Sequence, residues 1–262
     1  MHADVTRLDL RLRRRPLLGY TTGMALYALV IVAVYPQFKN SVSLNQLTRN
    51  GNPVAALLGA TGTLTSPAGW LDANIYANFL PLIMLLVTVG YGASCLAGQD
   101  EDGTLCLQAT LPISRRAILL QKTAALAAQA VLLGAATMIC VLLGRGFGLP
   151  VPVAHLAGVT AGVTLLGVDF GLLGLAAGAW TGRRGTALGV TAAIAAASYL
   201  ISSLAPVVGW IRPARYASLF YWSVGDAQLS TGLTAAAAAV LATTGAALLL
   251  TAAAAFSRLD LH

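Results

Sequence analysis

Long apolar runs alternate with short polar breaks along this chain. A spanning helix needs about 20 mostly apolar residues. Six stretches reach that length: approximately 17–36, 75–97, 117–143, 154–179, 186–205 and 235–256. They are continuous and rich in Ala, Leu, Val and Gly, unlike the short alternating strands of a β-barrel. The pattern predicts an all-α integral membrane protein with six transmembrane helices in one domain over 17–262.

The polar breaks carry their own pattern. In residues 1–16, Val5, Leu8 and Leu12 recur at helical spacing, with Arg7, Arg11 and Arg14 on another face and Arg15 beside them. That predicts a short amphipathic helix lying on the membrane surface, with Pro16 suited to the first turn of the span that follows. No small-residue cleavage site follows the first apolar run, so it is expected to stay as a span. The segment 37–74 holds two helix-start signals, Asn52-Pro53 and Ser66-Pro67, with the apolar piece "VAALLGATG" between them. Residues 206–234 are rich in aromatics. Short outer-face helices are expected before spans two and six. Trp70, Trp210, Tyr221 and Trp222 are expected at the headgroup layer, where amphipathic rings belong.

Composition sharpens this picture. Hydrophobic residues are 57% of the chain and charged ones 10%, against roughly 25% charged in a soluble domain; mean hydropathy is +0.76. With the first span entering from the cytoplasm, the inner segments hold Arg7, Arg11, Arg13, Arg14, Arg15, Arg115, Arg116, Lys122, Arg183, Arg184 and Arg258. The outer segments hold Lys39, Arg49, Arg145, Arg212 and Arg215. That bias places both termini in the cytoplasm. The net charge of +7 reflects this topology and contact with anionic lipid, not nucleic-acid binding. Cys95, Cys106 and Cys140 are scattered and show neither metal nor disulfide spacing. The three histidines form no metal constellation.

The densest charge cluster lies between spans two and three, in "GQDEDGTLCLQATLPISRR", residues 98–116. Asp100, Glu101 and Asp102 suit the start of a short helix over roughly 102–110. Pro112 stops it, and Ser114 caps the next span. Arg115 and Arg116 then sit at a helix end whose dipole disfavours them, so a carboxylate, a phosphate or a partner is expected nearby. A small helix hung between two spans is a handle for a soluble partner.

The stretch "DEDGTLCLQATLPISRRAILLQK" resembles the loop of type-2 ABC-transporter permeases, at Glu101, Gly103, Thr104, Leu105, Pro112, Ser114, Arg115 and Lys122. "NPVAALLG…LTSPAGW" and "IRPARYASLFYWSVGDAQLSTG" are similar to outer segments of antibiotic- and multidrug-exporter-like members. Cys106 departs from the acidic residue many members carry. The resemblance implies a permease subunit in a bacterial cytoplasmic membrane, paired with a second permease, the same chain or another, and with two ABC ATPase subunits. The loop would be a cytoplasmic coupling helix set in a cleft of the ATPase. Asp100, Glu101, Asp102, Gly103, Thr104, Leu105, Leu111, Pro112, Ser114, Arg115 and Arg116 would carry that contact. ATP and Mg would sit on the partner, and no cofactor on this chain. The chain has no G-x-x-x-x-G-K-[ST] loop, and neither Lys39 nor Lys122 follows a glycine, so the ATPase is expected to be separate.

Asp169, in "LLGVDFGLLG", is the ionisable residue well inside a predicted span. An acid there is a candidate for the transport path; a structural hydrogen bond is the plainer role. The glycine sets Gly158/Gly162 and Gly171/Gly174/Gly178 predict tight helix crossings, within the chain more than between chains. Export of a drug, antibiotic or lipid is the leading expectation. An ion-gradient transporter using Asp169 is the alternative. No Ser/His dyad, paired carboxylates or His/Cys cluster supports catalysis.

Overall fold

The computed structural model describes residues 4–39, 65–103, 114–206, 208–225 and 228–258. Among them the regular structure is helical, without strands. Helix α1 (Asp4–Leu12) leads into α2 (Arg14–Phe38). α3 (Pro67–Glu101), α4 (Arg115–Leu143), α5 (Val153–Thr181) and α6 (Arg184–Leu204) follow. Two short helices, α7 (Leu219–Val224) and α8 (Gln228–Thr231), precede α9 (Ala235–Arg258). Six of these, α2 to α6 and α9, are long and apolar enough to cross a membrane. "VAALLGATG", Asn52-Pro53 and most of the expected 102–110 helix lie outside the described residues.

Capping chemistry sets the helix starts. The Ser66 hydroxyl accepts from the Gly69 N–H at 3.1 Å, with Pro67 in the first turn. The Ser114 hydroxyl accepts from the Ala117 N–H at 3.3 Å. α3 is not uniform. π-helical turns occupy Asp72–Tyr76 and Ser94–Gly98, and the helix breaks at Asn78 (φ −127°, ψ −68°). Pro81 explains the break, because it offers no N–H to the Ala77 carbonyl four residues earlier. The Asn78 side chain donates instead to the Ala73 carbonyl at 3.1 Å.

α5 is the central post. α3, α4, α6 and α9 all pack on it, and apart from Thr160, Thr164 and Asp169 its middle is apolar on most sides, as suits a helix packed against several neighbours. Its glycines let the neighbours close in, each on a different side. A Cβ at Gly171 would lie 2.6 Å from Leu126 of α4, one at Gly162 2.7 Å from the Ser223 carbonyl of α7, and one at Gly174 3.2 Å from the Ala93 nitrogen of α3. Gly92 of α3 in turn meets the Gly171 carbonyl directly. The glycine spacing thus serves crossings within the chain.

Helix direction alternates, so the ends sort into two groups. One end gathers α1, the last turn of α3, the first turns of α4 and α6, and the last turn of α9. The other gathers the end of α2, the start of α3 and the turn after α4. There the Trp70 indole donates to the Ile31 carbonyl at 3.1 Å and the Tyr35 hydroxyl to the Thr65 carbonyl at 3.0 Å.

Candidate functional site

The α3–α4 connection is described only at its two roots. On the first, Asp100 and Glu101 form the last turn of α3. Gly103 ends the helix in the left-handed region (φ +69°). The acidic triplet was expected to open a new helix; Asp100 and Glu101 instead close an existing one, because apolar packing carries α3 to this point. A carboxylate at a helix C-terminus is disfavoured by the dipole. Glu101 escapes that by reaching α6: its Oε1 accepts the Arg184 backbone N–H at 3.0 Å, at the positive end of that helix. Asp102 is exposed. Thr104, Leu105, Leu111 and Pro112 lie outside the described residues.

The second root mirrors the first. Arg115 stands at the positive end of α4, and its guanidinium donates to the Phe256 carbonyl at 3.2 Å in the last turn of α9. It also lies 5.9 Å from the Phe256 ring centre. Arg116 is exposed.

Behind these roots lies a buried polar node. Lys122 of α4 and Asp9 of α1 are 0% and 3% exposed and 3.6 Å apart. Asp9 Oδ2 also accepts the Tyr91 hydroxyl at 2.6 Å, and Lys122 donates to Gln99 Oε1 at 2.5 Å. Arg13 donates to Ser94 and lies 5.1 Å from the Tyr91 ring centre. Gln121 secures α1 beside the node: its Oε1 accepts the Val5 N–H at 3.0 Å, and its carbonyl accepts the Thr6 hydroxyl at 2.9 Å. Hence Val5 is buried, while Leu8 and Leu12 stay 47% and 69% exposed. The three do not share one environment: α4 takes Val5. Asp9, Tyr91 and Gln99 were missed in the sequence. The signal was there, since Val5, Asp9 and Arg13 recur at i, i+4, i+8 on one stripe.

A groove of about 530 Å³ runs between α3 and α6. Phe79, Leu82, Leu86, Leu188 and Ala192 line it, with Phe220 at one end. Asn78 and Tyr199 bring polarity to the same end, with the Tyr199 hydroxyl donating to Asn78 Oδ1 at 2.8 Å. Asp169 is not among its lining residues. It is 1% exposed and faces α9, where its Oδ1 would lie 2.6 Å from a Cβ at Gly245. Its Oδ2 is buried without a hydrogen-bond partner among the described residues.

The expected interfacial residues occupy different settings. Arg11, Arg14 and Arg15 are exposed. Trp70 is buried against α2, with its ring 5.5 Å from Phe38 and 5.9 Å from Tyr35. Trp210 is 81% exposed. Tyr221 and Trp222 pack on Tyr216 and on each other, and Arg215 lies over the Tyr216 and Tyr221 rings. Cys95 and Cys140 are free thiols. Among the described residues no three His, Cys, Asp or Glu side chains stand together to hold a metal.

Comparison with curated proteins finds no match. Comparison with protein families matches residues 4–261 to the ABC-2 family transporter proteins. Six membrane-spanning helices, a charged connection after the second and a match over nearly the whole chain agree, and the chain belongs to the ABC-2 transporter family as a multi-pass permease subunit that associates with ABC ATPase subunits.

Proposed function

We propose that this permease belongs to an exporter in a bacterial cytoplasmic membrane and moves a hydrophobic or amphiphilic molecule such as a drug, an antibiotic or a lipid. The groove between α3 and α6 carries the substrate class. Its walls are apolar along their length, and the Asn78–Tyr199 pair stands at one end. An apolar body with one polar head matches that distribution. Pockets of this kind place few polar groups against a mostly apolar wall.

Two separate ATPase subunits bind ATP and Mg in this reading, and a second permease, the same chain or another, completes the membrane unit. Residues 100–116 receive the ATPase. The end holding α1, Arg115, Arg116, Arg183 and Arg184 faces the cytoplasm, as the positive-inside rule requires. Arg11, Arg14 and Arg15 then meet anionic headgroups on that side, and Trp210, Tyr221 and Trp222 mark the opposite face.

The test is gentle extraction of the tagged protein from native membranes. A nucleotide-binding subunit with ATP hydrolysis should co-purify. It should be lost or uncoupled when Glu101 is changed to Ala or when 100–112 becomes a Gly/Ser linker. A wild type that purifies intact without an ATPase at every extraction condition overturns the reading.

Asp169 favours a second reading, transport driven by an ion gradient, because one oxygen of a buried carboxyl has no hydrogen-bond partner among the described residues. Asp169→Asn separates the roles. Normal expression with altered transport marks the path or the coupling ion; lost expression marks packing against α9.

A further inference from the structure

The Asp9–Lys122 pair buries two full charges at a place the export reading leaves unused. Four side chains meet there from three helices: Asp9 from α1, Tyr91 and Gln99 from α3, Lys122 from α4. Gln99 precedes the 104–113 segment and Lys122 follows it. Their hydrogen bond therefore joins the two limbs of that connection directly. Asp9 then ties α1 to the joined limbs.

Outside the node α1 is held by Gln121 at Val5 and Thr6 and by Arg13 on Ser94. It has nine residues, too few to stay helical alone in water, and Leu8 and Leu12 are exposed. The energetic asymmetry of a buried pair makes the node all-or-none. Removing the Asp9 charge strands a buried ammonium, a worse outcome than losing an exposed ion pair. The alternative is for α1 to leave and water to reach Lys122.

We infer that Asp9 and Lys122 are positioning residues for energy coupling. The closed node makes α1, the end of α3 and the start of α4 one mechanical body. A push on the 104–113 segment then reaches the spans instead of being absorbed by movement between the two limbs. This rests on the proposal that a separate ATPase acts on that segment.

Thiol labelling in membranes holding the permease with its ATPase tests the inference. Cys95, Cys106 and Cys140 are first replaced by Ala, and fluorescein maleimide is the probe. Val5→Cys reports whether α1 is seated; Ala192→Cys, in the groove, reports whether the spans respond to trapping with ATP and vanadate. With the wild-type node, Val5→Cys is protected and Ala192→Cys labelling changes on trapping. With Asp9→Asn or Lys122→Met, Val5→Cys labels about tenfold faster, as local opening requires. ATP hydrolysis continues, but the trapping response at Ala192→Cys falls about threefold or more, as lost coupling between two sites requires. Asp9→Glu keeps the charge and restores both readouts, which a general packing defect would not. Should Lys122→Met fail to fold, Tyr91→Phe removes one hydrogen bond and no charge, and shifts both readouts the same way by less. Unchanged Val5→Cys protection, or an intact trapping response, in Asp9→Asn overturns the inference. If the wild-type node itself shows no trapping response, the exporter reading fails instead, and the Val5→Cys rate alone decides whether the node seats α1.

Discussion

Glu101 and Arg115 each stand at the end of a helix whose dipole opposes their charge, and each is satisfied by another helix. Glu101 ends α3 and meets the first turn of α6; Arg115 begins α4 and meets the last turn of α9. Glu101→Gln keeps the shape and drops the charge, so the backbone amides at the start of α6 should exchange hydrogen a few-fold faster. Exchange measured by mass spectrometry over residues 184–187 checks this, and an unchanged rate removes Glu101 as the cap. Steric fit is equally local. Gly92 meets the Gly171 carbonyl, whereas Gly90, two residues earlier, faces open space. Gly92→Ala is expected to cost about 1–3 kcal/mol through overpacking, and Gly90→Ala almost nothing. Thermal unfolding in detergent, compared between the two variants, would show the difference; equal midpoints would contradict the close crossing of α3 and α5.

At the scale of elements, α3 is an irregular span that borders both the groove and the polar node. Its two π-helical turns and its break at Asn78 interrupt an otherwise apolar span. Such turns inside helices often mark functional positions. The Asn78 break sets the polar end of the groove, and the Ser94–Gly98 turn leads into the node. Gly90 and Ala192 both line the groove, and a Cβ at Gly90 meets nothing within 4 Å. Gly90→Trp or Ala192→Trp should therefore fill the groove without disturbing the core. Movement of a fluorescent amphiphile by the reconstituted complex should fall about tenfold or more while the ATPase stays bound, because the site loses its volume. Full transport by both variants would place the path elsewhere.

Taken whole, the molecule separates its charge. The end that holds α1 also carries Arg115, Arg116, Arg183 and Arg184, and the other end carries Arg145, Arg212 and Arg215. Single cysteines at Arg183 and Arg212 in intact cells should react with a membrane-impermeant maleimide at Arg212 alone. Reaction at Arg183 alone would invert the orientation. The six spans were legible in the sequence because twenty apolar residues in a row have few other places to go. The starts at Ser66-Pro67 and Ser114 were legible because a cap acts on its own helix only three residues away. The direction of the acidic triplet was not. Asp100 and Glu101 look the same whether they open one helix or close another, and the packing of α3 on α5 settles it.

The sequence by itself determined the number of spans, their approximate ends and the uneven charge of the two faces. Each depends on residues near one another in the chain and on the bilayer. Only the tertiary structure decided that Lys122 meets Asp9, 113 residues away, that Tyr91 completes the node, that Asp169 faces α9, and that the groove lies between α3 and α6. The physical reason is common to all four. Spans that are apolar nearly all round carry little information about which side faces which neighbour. Their rotation is fixed by close glycine contacts and by the few polar groups that must find partners once water is gone.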